Sequence, residues 1–186
     1  MLRRSLLTSA IAASLLTTFS LPAFATQVYE TDLVIIGGGL SGLAAAQSAV
    51  DQGAKPIVLE KEAALGGGGN FPEGSLGVGT RYQKEHNINT TVDQVLTAAL
   101  QYHHYRADPH VLRVLIEESG KTIDWVMDKG AQMRGIRTMY PKDESLMTWH
   151  LFKGGAAGII QRFAKEVRAK GGTILTETPA KKLIVE

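Results

Sequence analysis

The stretch Asp32-Leu-Val-Ile-Ile-Gly37-Gly-Gly39-Leu-Ser-Gly42-Leu-Ala-Ala-Ala46 decides how this chain is read. Residues 32–36 are a short, apolar, β-branched run, which suits a buried parallel strand. Gly37-x-Gly39-x-x-Gly42 follows at once, and Leu43 to Val50 is apolar at helical spacing, so a helix begins near Leu40. Gly53 ends that helix as a C′ residue. Ile57-Val-Leu59 is a second strand, closing on Glu60. Together these pieces form a Rossmann dinucleotide-binding unit. Gly37 allows the tight turn, Gly39 lets the backbone approach a pyrophosphate, and Gly42 lets helix and strand pack closely. The free N–H groups of the helix start favour phosphate. Glu60, 18 residues after Gly42, stands where its carboxylate accepts from both hydroxyls of an adenosine ribose and repels a 2′-phosphate, which disfavours NADP.

Composition bounds the rest. The 186 residues allow one domain, and a hydrophobic fraction of 44% is ample for a core. The net charge of +2 comes from Arg3 and Arg4; without them Lys+Arg falls from 20 to 18, equal to the 18 Asp+Glu. A neutral body has no electrostatic footprint for nucleic acid. Residues 1–25 read as an export signal: a two-arginine start, an apolar run to Leu21, then Pro22 and the small-x-small site Ala23-Phe-Ala25. The run is shorter than the ~20 residues of a membrane span, so no span is expected to survive cleavage. The expected destination is the periplasm or cell envelope. "RRSLL" partly matches a twin-arginine signal, and either export route fits. Cysteine is absent, which excludes disulfides, thiolate-held iron–sulfur clusters and Cys-x-x-Cys-His haem attachment. Any electron partner must lie on another chain.

After Glu60 and Lys61 comes a second glycine cluster, Gly66 to Gly69, ending in Asn70. The cluster resembles the extended FAD fingerprint of two-dinucleotide-binding-domain flavoproteins, in which a later Gly-Gly runs along the pyrophosphate and ribityl chain; a flexible surface loop is the alternative. "GGNFPEGSLGVG", "TIDWVMDKGAQM", "HLFKGG" and "GGTILTETPAKKLIVE" then follow in order. With the fingerprint, they resemble the flavoprotein subunits of the fumarate reductase and succinate dehydrogenase family, nearest its soluble exported fumarate- and urocanate-reductase-type members. The resemblance covers nearly all of residues 31–186. It implies an α/β fold with a central parallel sheet, bound FAD, and hydride transfer to or from a carbon–carbon bond in a fumarate-like small-molecule acid. An external electron-transfer protein such as a cytochrome is the implied partner. Carried over by position, Gly37, Gly39, Ser41 and Gly42 meet the pyrophosphate, Glu60 and Lys61 the ribose end, and Gly69, Asn70, Gly74 and Ser75 the flavin side. Ala180 lies where the family's backbone meets the adenine. The glycine run is two residues longer than the family's spacing from Glu60 to Asn70. Phe71 stands where membrane-bound members carry a flavin-linked histidine, which implies noncovalent FAD.

In the middle of the chain Thr91-x-x-Gln94 is a capping box opening a helix towards Tyr105, and Asp108-Pro109 is an N-cap with proline at N1. Leu112, Leu115, Ile116, Ile123 and Val126 keep helical spacing as core, with Gly120 as a possible break and Gly130 as the end. Tyr102 and Tyr105 are expected to pack against the domain. Adjacent His103 and His104 point about 100° apart on a helix, so they make no metal pair. His150 is read as a packed surface histidine, with a substrate-pocket role as the alternative. Arg134 and Arg137 are expected to be solvated.

The resembled family has a discontinuous flavin domain with an inserted capping domain. Residues 26–186 therefore read as its N-terminal part, ending within a strand in "KKLIVE" and leaving an apolar sheet edge. Three readings follow: the FAD-binding part of an exported reductase, a stand-alone flavin or nucleotide module, or an inactive remnant.

Overall fold

A computed structural model of the chain describes residues 27–139 and 146–184. The proposed export signal lies outside the described residues. Residues 27–30 are irregular and exposed.

Strand β1 (Leu33–Ile36), helix α1 (Leu40–Asp51) and strand β2 (Pro56–Leu59) follow in the expected order of strand, helix and strand. β6 (Thr173–Leu175) adds to the far side of β2, giving a parallel sheet in the order β1-β2-β6. Helix α5 (Gly155–Ala169) leads into β6 and packs on α1. The apolar face between them holds Leu43, Ala46, Val58, Ile160, Phe163 and Val167, all nearly or fully buried. β2 is buried, as a central strand should be. β1 is not: Val34 is 53% and Ile36 60% exposed. The expectation of burial fails because β1 pairs only with β2 among the described residues and so forms the sheet edge.

A second sheet is antiparallel, in the order β3-β5-β4, from β3 (Gly74–Leu76), β4 (Met133–Thr138) and β5 (Met147–Phe152). Three helices accompany it: α2 (Arg81–Glu85), α3 (Val92–Tyr102) and α4 (Pro109–Asp128). The capping box of Thr91 and Gln94 forms, and Asp108 accepts from the N–H groups of His110 and Val111. α3 stops at Tyr102, short of the expected Tyr105; His104 and Tyr105 take left-handed φ of 51° and 57°.

Three expectations for this region need correction. Gly120 does not break α4. A Cβ there would lie 2.2 Å from the Val78 carbonyl oxygen, so glycine lets the helix lie against that backbone. Leu115 is 58% exposed while Ile116 and Ile123 are buried, because α4 packs through one face only. Tyr102 and Tyr105 are 64% and 70% exposed rather than packed. At the chain end, residues 181–184 form no strand.

Candidate functional site

The turn between β1 and α1 is built by absence of side chains. A Cβ on Gly42 would sit 2.0 Å from the Gly37 oxygen, so the start of α1 reaches the end of β1 only with glycine there. Gly37 itself has φ of +104°. Helix α1 starts on Gly39 and has no side-chain cap and no acid in its first turn. Its leading N–H groups therefore stay available to an external anion.

Glu60 organises this turn. It is 8% exposed; its Oε2 accepts from the Gly38 N–H at 2.7 Å and its Oε1 from the Glu62 N–H at 2.9 Å. The bonds from Glu62 and Gly38 hold its carboxyl below the usual carboxylate range, against the opposing effect of burial. A carboxylate has about four lone-pair sites, so acceptor capacity remains for hydroxyl donors. The backbone around Glu60 is fixed too: its N–H donates to Leu175 O, and Thr178 N–H donates to Glu60 O at 2.8 Å. That second bond ties the segment leading to the exposed Ala180 to the Glu60 backbone. Lys61 is exposed and pairs with Glu62 at 3.5 Å.

The second glycine cluster is not a free loop. Gly66 bridges in parallel fashion to Gly39, and its N–H donates to Gly38 O at 2.9 Å. Gly67–Asn70 forms one turn of 3-10 helix, and a Cβ on Gly69 would press on Leu40 at 3.1 Å. The two glycine segments thus lie side by side, against the start of α1. Asn70 turns back on this loop, donating from Nδ2 to Leu65 O at 2.9 Å. Phe71 is 85% exposed. Ser41 and Ser75 are exposed, whereas Gly74 is buried where β3 crosses β5. This cradle of bare backbone, free helix donors and an acidic end suits an anionic dinucleotide.

His150 was misjudged from sequence. It is fully buried, opposite Ser75 in the β3–β5 register, with Nε2 2.8 Å from Thr80 Oγ1 and Nδ1 3.0 Å from Thr148 O. Since Thr148 O only accepts, Nδ1 carries the proton and the Thr80 hydroxyl donates to Nε2. Burial pushes its pKa down, opposed by the Thr148 bond and the Asp124 charge. Thr80 also caps α2 in a second capping box with Gln83. The pattern Thr80-x-x-Gln83 carried that signal, as Thr91-x-x-Gln94 did. Arg134 is exposed, as expected, but bonds Glu73 at 3.1 Å; Arg137 is exposed. The described residues contain no group of three or more potential metal ligands.

Comparison with known proteins agrees with this geometry. A family model described as FAD binding domain matches residues 32–186. A vinyl phenol reductase of Lactiplantibacillus plantarum is 35% identical over 150 residues, covering 80% of this chain and 30% of that protein. An NADH:fumarate oxidoreductase of Klebsiella pneumoniae is 31% identical over 143 residues, covering 70% of this chain and 15% of that protein. The chain thus spans less than a third of the length of these relatives. The structure of a flavocytochrome c3 fumarate reductase in an open conformation matches with a TM-score of 0.70 at 22% identity, over 84% of this chain and 28% of that one. The chain belongs to the FAD binding domain family found in fumarate reductases and related flavoproteins, and its cofactor is FAD.

Proposed function

We propose that this chain is the FAD-holding part of an exported reductase acting on the carbon–carbon double bond of an unsaturated acid or a related activated alkene. The carrying observation is the pairing of two glycine segments through Gly39 and Gly66, beside the buried Glu60. The names of the relatives, fumarate reductases and a vinyl phenol reductase, support the substrate class. When bound, FAD supplies hydride chemistry. The first turn of α1 and the Gly37–Gly39 backbone receive the pyrophosphate, Glu60 holds the adenosine ribose, and the Gly66–Asn70 turn with Gly74 and Ser75 borders the flavin end. The cofactor is held noncovalently, since Phe71 offers no nucleophile. Electrons come from a separate protein such as a cytochrome.

This chain binds and orients the cofactor without completing the catalytic set. Reduction of an enoate needs a proton donor and a cation on the carboxylate. Among the described residues His150 is sealed in the interior and Arg134 is tied to Glu73. Residues 1–25 act as an export signal cut after Ala25, so the mature chain starts at Thr26.

Titration of the chain with FAD, FMN and NADP, followed by acid precipitation, tests the reading. FAD is expected to bind tightest and to leave with the supernatant. Equal affinity for NADP, or flavin retained by the precipitate, refutes it. With FAD and reduced viologen, turnover of fumarate is expected to stay at the level of free reduced flavin.

A further inference from the structure

The chain from Gly74 to Thr80, which is β3 and the turn into α2, meets one fully buried residue, His150, along its length. We infer that His150 is a positioning residue for the flavin end of the cofactor: its ring fixes the backbone from Gly74 to Thr80 and touches no ligand itself. The inference rests on the proposed function, in which Gly74 and Ser75 border the flavin.

β3 has little else to place it. It is three residues long, lies at the edge of its sheet among the described residues and pairs only with β5, Ser75 opposite His150. Gly74 lets it lie close, since a Cβ there would collide with the His150 carbonyl oxygen. The ring then holds the chain that follows. Its Nδ1 donates to Thr148 O at 3.0 Å, and the same oxygen accepts from the Gly77 N–H at 2.9 Å. A Cβ on Gly77 would lie 2.7 Å from the ring's Cε1, so glycine seats the backbone on the ring. Three residues on, the Thr80 hydroxyl donates to Nε2 at 2.8 Å. Tyr82 stands edge-on to the ring, their centroids 6.1 Å apart. Both ring nitrogens are thus used in a place closed to water, where an unmade bond is costly. An apolar side chain could fill the space but would offer the Thr80 hydroxyl no acceptor there. The turn proposed to take the pyrophosphate and ribose is held by other contacts: Gly42 against Gly37, and Glu60 on the Gly38 and Glu62 N–H groups. Loss of the bond between His150 and Thr80 should therefore reach one half of the cofactor and spare the other.

The test titrates the full chain with FAD and with ADP, which lacks the flavin half. His150→Asn keeps a donor for Thr148 O and leaves Thr80 without its acceptor. His150→Gln carries an amide oxygen out to the Nε2 position. In His150→Asn the FAD affinity is expected to fall about tenfold, the effect of one buried hydrogen bond left unmade, while ADP affinity stays as it was. The visible absorption band of bound FAD should shift as well, and His150→Gln should restore both affinity and band. If His150→Asn does not fold, Thr80→Val, which removes the same bond from its other end, must show the same split between FAD and ADP. Equal losses for the two ligands would make His150 a support of the whole fold. No loss for either, or no recovery in His150→Gln, would show that this bond does not place the flavin. Each of these results overturns the inference and leaves the proposed function standing. A wild-type chain that binds neither ligand refutes the proposed function, and this inference with it.

Discussion

Helices α2, α3 and α4 begin on Thr80, Thr91 and Asp108, each of which takes a first-turn N–H on its side-chain oxygen. Helix α1 begins on Gly39 and has nothing of the kind. A side-chain cap contributes about 1 kcal/mol over an uncapped residue such as alanine. The three capped helices each gain it at their own first turn. α1 forgoes it, and its first-turn donors stay without a side-chain cap, open in the proposed function to the cofactor. What keeps α1 in place instead is burial of Leu43 and Ala46 and the closeness to β1 that Gly42 permits.

The largest expected effect therefore comes from closing that approach. Gly42→Val puts a side chain into a gap where even a Cβ meets the Gly37 oxygen at 2.0 Å. Overpacking of this kind costs about 3 kcal/mol, and FAD binding should be lost with it. Urea unfolding and flavin titration check both. Unchanged affinity would mean that the open helix start does not depend on this contact.

Next comes Glu60→Ala. It removes the acceptor of the Gly38 and Glu62 N–H groups, and with it the proposed acceptor of a ribose hydroxyl. FAD affinity should fall by about 1.5–3 kcal/mol, the range for hydrogen bonds to a charged group. A loss confined to stability would show that Glu60 supports the turn and does not touch the cofactor.

The capped helices should answer in the opposite way. Thr91→Ala and Asp108→Ala are each expected to cost about 1 kcal/mol of stability and to leave FAD affinity as it was. A cap substitution that weakened FAD would erase the distinction between the two kinds of helix start.

These contrasts show which parts of the molecule were legible in the sequence. Gly37, Gly42 and Glu60 act through local backbone geometry, and local geometry is written in spacing. The caps at Thr91 and Asp108 are local too, and both were readable. His150 was not, because its burial depends on β3, β5 and α2 meeting, and its partners Thr80 and Thr148 lie on two of these elements or beside them. The exposure of β1 was likewise illegible from its own residues. Val34 and Ile36 have the composition of a central strand, and only pairing decides whether they are covered.

The far end of α1 gives a smaller, pH-dependent effect. Asp51 is its last residue, where the helix dipole disfavours a carboxylate. Burial also pushes its pKa up, but hydrogen bonds from Lys129, Lys170 and Gln47 outweigh this and bring it down to about 2 from 3.8. A depressed carboxyl stabilises the fold above its unfolded pKa and loses that contribution as pH falls through the folded one. Stability should thus drop between about pH 4 and pH 2, with Asp51 contributing about 1 kcal/mol after allowance for solvent screening. Asp51→Asn should flatten that part of the profile. An unaltered acid limb would show that α1 is anchored by apolar packing alone at this end.

The smallest expected effect bears most directly on why α1 starts uncapped. Gly39 has φ of −73° and ψ of −178°, an extended conformation open to any residue. A Cβ there would meet only the Gly66 oxygen at 3.7 Å, an ordinary contact. Serine therefore fits at this position in the free protein, and its hydroxyl can take a first-turn N–H as Thr91 does. Glycine and serine differ as N-caps by only a few tenths of a kcal/mol, so Gly39→Ser should raise the melting temperature slightly. The same hydroxyl would compete for the donors that, in the proposed function, receive the pyrophosphate, and its Cβ would stand on the backbone that the phosphates are proposed to approach. FAD affinity should fall even as stability rises. Opposite signs in the two measurements, made on one preparation, separate a helix start kept open for a ligand from one that merely tolerates glycine. If both rise together, the missing cap has no bearing on the cofactor.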